Sequence, residues 1–260
     1  MPEGDSLWNH AAELRPVLVG RELEKLHVHR SRKRGPGQGV SIIGVDSRGK
    51  HLLITFSDGV ILHTHLQMTG DWRLYRRGER WRKSPGAMRA VVATAEHEAV
   101  CFAAPTVELF HPAETAERPW ERIGPDLCLD EVAFDSIMSN VAATDQRRHI
   151  ADVLLDQRLA AGIGNVYKSE TLWACKVHPM TPLAAIDDAT RRQLYETASN
   201  QLRSNLGNWR RATYRGGLGV YGKSRQGCPL CHGAIRTAEH GEGLSRLSYW
   251  CESCQPRHRG

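Results

Sequence analysis

No run in this 260-residue chain approaches the roughly 18 consecutive apolar residues that a membrane-spanning helix requires. The first residues also lack the apolar core of a secretion signal. Aromatic residues are scarce, at 7%, and the chain shows neither an internal repeat nor a low-complexity segment, which excludes solenoids and fibrous arrays. Cysteine is absent from the first hundred residues, so the N-terminal part is not a disulfide scaffold. What remains, 40% hydrophobic and 25% charged residues, has the composition of a folded protein rather than a disordered one. At roughly 100–200 residues per domain, two domains are expected.

The charge is unevenly placed. Residues 201–260 hold ten Lys/Arg against three acidic residues, so the whole net charge of +6 lies in the C-terminal quarter. Such asymmetry points to a polyanionic partner, with nucleic acid foremost, although a solvated basic tail has the same composition.

Cys101, Cys128 and Cys175 are scattered and read as small packing residues. The other four form two knuckles, Cys228-Pro-Leu-Cys231 and Cys251-Glu-Ser-Cys254, with 19 residues between them. Two residues between cysteines let both sulfurs of one turn reach a single ion, and the second knuckle closes a tetrahedron. Two disulfides or a redox pair are the rival readings. Nothing in the sequence signals secretion, and a lone redox pair needs no second knuckle. The pattern therefore predicts one Zn²⁺, structural because four thiolates leave no open coordination position.

Periodicity predicts a helix over residues 5–18, with Leu7, Ala11, Leu14 and Leu18 on one face, Asp5 or Ser6 as its cap, and a kink or early end at Pro16. Between about 40 and 103 the period becomes that of strands: 40–45, 51–56, 60–66, 72–75, 89–94 and 99–103. Ser57-Asp58-Gly59 is a hairpin signal. A helix followed by consecutive antiparallel strands predicts a two-layer sandwich in an α+β protein. Basic loops are expected at 30–36 and 76–83, and a boundary at Gly124-Pro125-Asp126. The second half reads as helical, with an apolar stripe Ile150, Val153, Leu154, Leu159, a break at Ala161–Asn165, a helix ending near Pro179, and another over 188–207. Gly216, Gly217, Gly219 and Gly222 predict a mobile loop before the cysteine hairpin. The expected domains are a helix-and-sandwich domain (1–122), a linker (123–134), a helical domain with its Gly-rich loop (135–223) and a zinc finger (224–260).

The chain opens Met1-Pro2-Glu3-Gly4. Removal of Met1 before the small Pro2 leaves a secondary α-amine. Amines of that kind titrate at roughly 7.7–8.0, far below the roughly 10.4 of lysine, so a useful fraction is nucleophilic at neutral pH. An amine attacking a sugar C1′ forms an iminium, and Glu3 beside it is placed to move protons. Many chains open this way, and alone the feature carries no conclusion.

Its company does. Met1-Pro2-Glu3-Gly4, Arg48-Gly49-Lys50 before an apolar strand, Gly162-Ile163-Gly164-Asn165-Val166-Tyr167, and the two-knuckle C-terminus follow in that order. The chain resembles, over nearly its whole length, the formamidopyrimidine-DNA glycosylase / endonuclease VIII family of base-excision repair enzymes. The resemblance implies an N-terminal helix plus β-sandwich, then a helix–two-turn–helix domain with a β-hairpin zinc finger. It implies Pro2 as the Schiff-base nucleophile, Glu3 as general acid/base, and Lys50 as a phosphate-contacting residue that supports catalysis. It further implies that Asn165 and Arg246, the latter five residues before Cys251, grip DNA phosphates. His65-Leu66-Gln67-Met68-Thr69-Gly70 matches the wedge that fills the gap left by a flipped nucleotide, making Met68 the intercalating residue and Gln67 its neighbour. A core-filling role is the alternative for Met68.

Two departures bear on substrate. The Pro-Arg-Arg-Phe-Gly loop of the oxidised-purine branch has no counterpart in Ala104-Pro105-Thr106-Val107-Glu108-Leu109-Phe110, and Gly4 follows Glu3. Both place the chain nearer the endonuclease VIII branch. Ser6 stands where many members carry glutamate. The expected protein is a monomeric, cytoplasmic bacterial DNA glycosylase and abasic-site lyase with β,δ-elimination, acting on oxidised pyrimidines in duplex DNA. The alternatives are preference for 8-oxoguanine or ring-opened purines, and a non-catalytic zinc-finger protein that binds damaged DNA.

Overall fold

The computed structural model describes residues 2–114, 117–241 and 246–257. The chain divides into two units, Met1–Glu121 and Arg122–Gly260. Among the described residues no helix is long and apolar enough to cross a membrane.

The first unit opens with α1 (Gly4–Leu18). Its cap is Glu3, not Asp5 or Ser6, because the helix starts at Gly4, one residue before the expected start and three before the first residue of its apolar stripe. Ser6 takes the reciprocal position, its hydroxyl accepting from the Glu3 backbone N–H at 3.4 Å. Pro16 does not end the helix, since it stands in the last turn, where only one intrahelical bond is lost, and Val19 N–H still reaches Arg15 O at 3.0 Å.

Eight strands follow: β1 (Lys25–Val28), β2 (Ile42–Arg48), β3 (His51–Phe56), β4 (Ile61–His65), β5 (Asp71–Arg76), β6 (Met88–Ala93), β7 (His97–Phe102) and β8 (Thr106–Phe110). They form two antiparallel four-stranded sheets, ordered β1-β6-β7-β5 and β2-β3-β4-β8. One core joins them to α1: Leu7, Leu14 and Leu18 from the helix, Leu52, Ile54, Phe56 and Leu62 from one sheet, and Trp72, Ala90, Val92 and Cys101 from the other. The period of two that buries Leu52, Ile54 and Phe56 turns His51 and its alternates to the other face. Gly59, at φ +83°, closes the β3–β4 turn, as the Ser57-Asp58-Gly59 signal requires.

The second unit contains α2 (Phe134–Ala142), α3 (Ile150–Leu155), α4 (Asn165–Ala174), α5 (Asp188–Arg203) and the antiparallel hairpin β9 (Ile235–His240) and β10 (Arg246–Cys251). Residues 123–134, expected as a linker, are stitched into this unit. Gly124 N–H donates to Gln157 O and Leu127 N–H to Ala161 O, and Leu127 and Cys128 are buried. Gly124 is required there, because a Cβ would stand 2.4 Å from the Leu159 carbonyl oxygen. Helix α3 is shorter than its stripe suggested, and Leu159 contributes from the turn beyond it.

Helix α4 is buried from Asn165 to Trp173 on every side, packed by α3, α5 and β10. A helix so enclosed must supply partners for its own polar side chains, and the functional geometry of this unit follows from how it does so.

Candidate functional site

In the first unit Pro2 is half-buried immediately ahead of α1, and Glu3 is wholly buried at the cap. Met1 lies outside the described residues. The N-terminal half of α1 also buries Asp5, Asn9 and His10. His10 Nε2 stands 3.4 Å from Asp71 Oδ1, and Asp71 in turn takes Arg73 Nε and Lys83 Nζ, both at 2.6 Å. Burial lowers the His10 pKa to about 4, against the pull of Asp71, so the imidazole is neutral near pH 7. Asp71 is held below the usual carboxylate range by Lys83 and Arg73, which outweigh its desolvation.

Lys50 occupies the two-residue turn between β2 and β3, where Gly49 carries φ +56° and Arg48 pairs with His51. Gln67 and Met68 form the tip of the β4–β5 connection. Gln67 adopts φ +47°, and Met68 is 66% exposed. Met68 therefore does not fill the core. Its tip is pinned from beneath: Gly70 N–H reaches Leu66 O at 2.8 Å, Thr69 Oγ1 donates to Ala103 O at 3.0 Å, and a Cβ at Gly70 would meet Leu66 O at 2.6 Å. Met68 thus presents an exposed thioether on a turn whose backbone is pinned.

In the second unit Asn165 is the first residue of α4, and Arg246 opens β10 opposite His240. Asn165 Nδ2 donates to Leu247 O at 2.7 Å, and its Oδ1 accepts from the fully buried Lys168 Nζ at 2.5 Å. Lys168 also meets His240 Nε2 at 3.0 Å. His240 Nδ1 stands 2.8 Å from Asp152 Oδ1 and Ser248 Oγ 2.6 Å from His240 Nε2. A chain of polar contacts thus runs from α3 through β9 to α4 and β10, fixing the face of the Asn165 amide and anchoring both strands of the hairpin that carries Arg246. Arg246 lines a cavity of about 780 Å³ together with Arg147, Arg148, His149, Asp152 and His240.

The Gly-rich segment expected to be mobile is clamped. The buried Glu170 carboxylate accepts from the backbone N–H groups of Gly219 (2.7 Å), Val220 (2.9 Å) and Tyr221 (2.7 Å), and from the Thr213 hydroxyl. Gly219 lies so close to Trp173 that a Cβ would stand 2.3 Å from the ring.

The four predicted cysteines converge: their sulfurs all lie within 4.8 Å of one another. The sulfurs of Cys231 and Cys251 stand 3.3 Å apart, those of Cys231 and Cys254 also 3.3 Å, and those of Cys228 and Cys254 3.9 Å. A tetrahedral ion with four bonds of about 2.3 Å to sulfur needs edges of about 3.8 Å, so the set fits a tetrahedral metal. Gly233 N–H and Cys254 N–H each point at a cysteine sulfur at 3.4 Å, which stabilises thiolate. Cys228 and Cys251 are buried with Ile235, Val220 and Trp173.

The sequence reading missed Lys168, His240, Asp152 and Glu170. The only local signal was a run of polar residues, Lys168-Ser169-Glu170-Thr171, inside an otherwise apolar helix. Ala104–Phe110, read as the counterpart of a loop, supplies an edge strand, β8, whose Leu109 is buried.

A helix-capped antiparallel sandwich, joined in one chain to a helical unit bearing a four-thiol hairpin, defines a class of two-domain DNA-repair folds. The formamidopyrimidine-DNA glycosylase N-terminal domain matches residues 1–106, and the formamidopyrimidine-DNA glycosylase H2TH domain matches residues 123–211. A probable endonuclease 8 2 of Streptomyces coelicolor is 35% identical over 98% of this chain and 94% of its own. The DNA-(apurinic or apyrimidinic site) lyase Nei2 of Mycolicibacterium smegmatis is 34% identical over 98% and 99%. The crystal structure of the MutM (Fpg) protein from Thermus thermophilus superposes with a TM-score of 0.81 at 26% identity, covering 99% of this chain and 100% of that one. The chain belongs to the formamidopyrimidine-DNA glycosylase family, among relatives named endonuclease 8.

Proposed function

We infer that the protein is a bifunctional DNA glycosylase and abasic-site lyase of base-excision repair, acting as a monomer in the bacterial cytoplasm on duplex DNA with oxidised pyrimidines or abasic sites. The observation that carries the mechanism is the half-buried Pro2 set directly against the fully buried Glu3 at the start of α1. With Met1 removed, the Pro2 nitrogen attacks C1′ and the damaged base leaves with the glycosidic electron pair. The resulting iminium acidifies C2′, so that β-elimination breaks the 3′ C–O bond and δ-elimination the 5′ one. Glu3 transfers protons as the sugar ring opens. Lys50, Asn165 and Arg246 hold the phosphates that flank the extruded nucleotide, and Met68 with Gln67 enters the vacated stack. Cys228, Cys231, Cys251 and Cys254 hold one Zn²⁺, which keeps the hairpin folded and takes no part in the chemistry. The preference for pyrimidines is supported by Thr106–Phe110, a sheet strand with no arginine pair to read an opposite base.

Borohydride trapping on duplexes carrying an abasic site, an oxidised pyrimidine or 8-oxoguanine tests this. A covalent complex is expected, lost in Pro2→Gly, with base release impaired in Glu3→Gln. Absence of a trapped complex from protein lacking Met1 and holding zinc would refute the lyase and leave a damaged-DNA-binding protein. Strongest trapping on 8-oxoguanine would instead overturn the lesion preference.

A further inference from the structure

On the outer face of the β2-β3-β4-β8 sheet three side chains form a line that the mechanism above does not use. Glu108 on β8 pairs in register with His63 on β4, and its Oε2 stands 3.4 Å from His63 Nδ1. His63 Nε2 stands 2.8 Å from His51 Nδ1. His51 is the first residue of β3, directly after Lys50 in the turn. His63 is buried, with its ring 4.9 Å from Trp120 and 6.0 Å from Phe110.

The line fixes the tautomers. An ionised carboxylate only accepts, so His63 carries its proton on Nδ1 and presents Nε2 as acceptor. His51 must then donate from Nδ1, which leaves its remaining nitrogen, Nε2, as a bare lone pair. Such a nitrogen repels a phosphate oxygen until it takes a proton. The groups facing His51 are Lys50 and Arg48 beside the turn, His65 across on β4, His63, and Glu108 beyond it. In the free protein burial, with the charges of His65, Lys50 and Arg48 added, depresses His51 to about 4. A phosphodiester at Lys50 reverses that field, and Glu108, through His63, stabilises the resulting imidazolium.

We propose that His51 is a phosphate-binding residue that takes up a proton when DNA engages the Lys50 turn, with His63 and Glu108 as the positioning residues that set its tautomer and support its charge. The step adds one solvent proton to Nε2 and breaks no covalent bond. The inference rests on the DNA-processing reading of this site.

Isothermal titration calorimetry of the full-length, metal-loaded protein provides the test. The probe is a duplex carrying a tetrahydrofuran abasic analogue, titrated in pairs of buffers with different ionisation heats at pH 6, 7 and 8. Net proton uptake is expected at pH 6, fading by pH 8, with severalfold tighter binding at the lower pH. His51→Gln should lose most of the uptake and flatten the pH dependence. Glu108→Gln, at a half-exposed position outside the core, should reduce the uptake without lowering the melting temperature. Binding with no uptake, or uptake unchanged in both variants, overturns this inference alone. Failure of the unmodified protein to bind the duplex at all overturns the DNA-processing reading along with it.

Discussion

Replacing Glu170 by glutamine tests whether the Gly-rich segment is held by charge. The carboxylate takes four donors, two on each oxygen: Thr213 Oγ1 and Gly219 N–H on Oε2, Val220 N–H and Tyr221 N–H on Oε1. The substitution keeps the shape but turns one oxygen into an NH₂ group. With the NH₂ on the Thr213 side, where the hydroxyl can turn to accept, Gly219 N–H is left facing a donor, and Val220 and Tyr221 lose the ionic component of their bonds. Hydrogen bonds to charged groups contribute about 1.5–3 kcal/mol each and neutral ones about 0.5–1.5, so losing one and the ionic part of two costs about 3–6 kcal/mol. For a protein of this size that lowers the melting temperature by roughly 10 °C, at about 2–4 °C per kcal/mol. Because the strands of the hairpin remain paired, the loss should appear first as local opening. Amide exchange at Gly219, Val220 and Tyr221 is expected to rise by two orders of magnitude or more, ahead of exchange in β9 and β10. Unchanged exchange at those three amides, with a melting temperature within 2 °C of the parent, would refute the clamp.

Stripping the metal with a strong chelator should melt the hairpin around Cys228 and Cys251 and abolish duplex binding, with both restored by one equivalent of Zn²⁺; elemental analysis finding no metal in active protein would contradict this. Lys168→Met leaves the Asn165 side-chain oxygen without its buried donor and His240 Nε2 with Ser248 alone, at about 1–3 kcal/mol, and should weaken duplex binding about tenfold in fluorescence anisotropy; wild-type affinity in a folded variant would show that the Asn165 amide needs no such support. His10, His51 and His65, held to about 4, and His63, held to about 3, all sit below the ordinary 6.5 because burial disfavours their charged forms. The unfolded chain therefore binds more protons between pH 6.5 and about 4, and stability falls as pH drops through that window, by on the order of 1–2 kcal/mol per imidazole at pH 5. A melting temperature that is flat from pH 7.5 to 5 would contradict the burial argument.

What the sequence disclosed and what it withheld divide along physical lines. The α1 stripe of Leu7, Ala11, Leu14 and Leu18, the central strands and the cysteine knuckles are periodic or closely spaced, so a local window contains the whole signal. The two strands missed, β1 and β8, are both sheet edges. Lys25-Leu26-His27-Val28 buries only alternate positions in part, and an edge needs few apolar residues to pair. The cap of α1 lies two residues before Asp5 and three before Ser6, because the start of a helix is set by which backbone turns first, not by where the buried face begins.

The polar networks were illegible for a deeper reason. Lys168 reads as an ordinary solvent-facing lysine until the chain returns some 70 residues later with His240, and Glu170 until it returns some 50 residues later with Gly219, Val220 and Tyr221. Neither partner set has a spacing rule, because each is created by enclosing α4 on all sides. That enclosure also explains why the helix tolerates them. A buried helix carrying Lys168, Ser169, Glu170 and Thr171 would be unstable if any one lacked a partner, and each is answered: Lys168 by the Asn165 side chain and His240, Ser169 by the Asn165 backbone carbonyl one turn back, Glu170 by the Gly-rich loop, and Thr171 by Gln201. Polar residues on a buried helix therefore specify register: a one-residue slip of the loop or the hairpin would leave a charge unanswered. In this unit that register sets the face of Asn165 and the position of Arg246, so the placement of the two residues proposed to meet phosphate is determined by side chains that need not touch it.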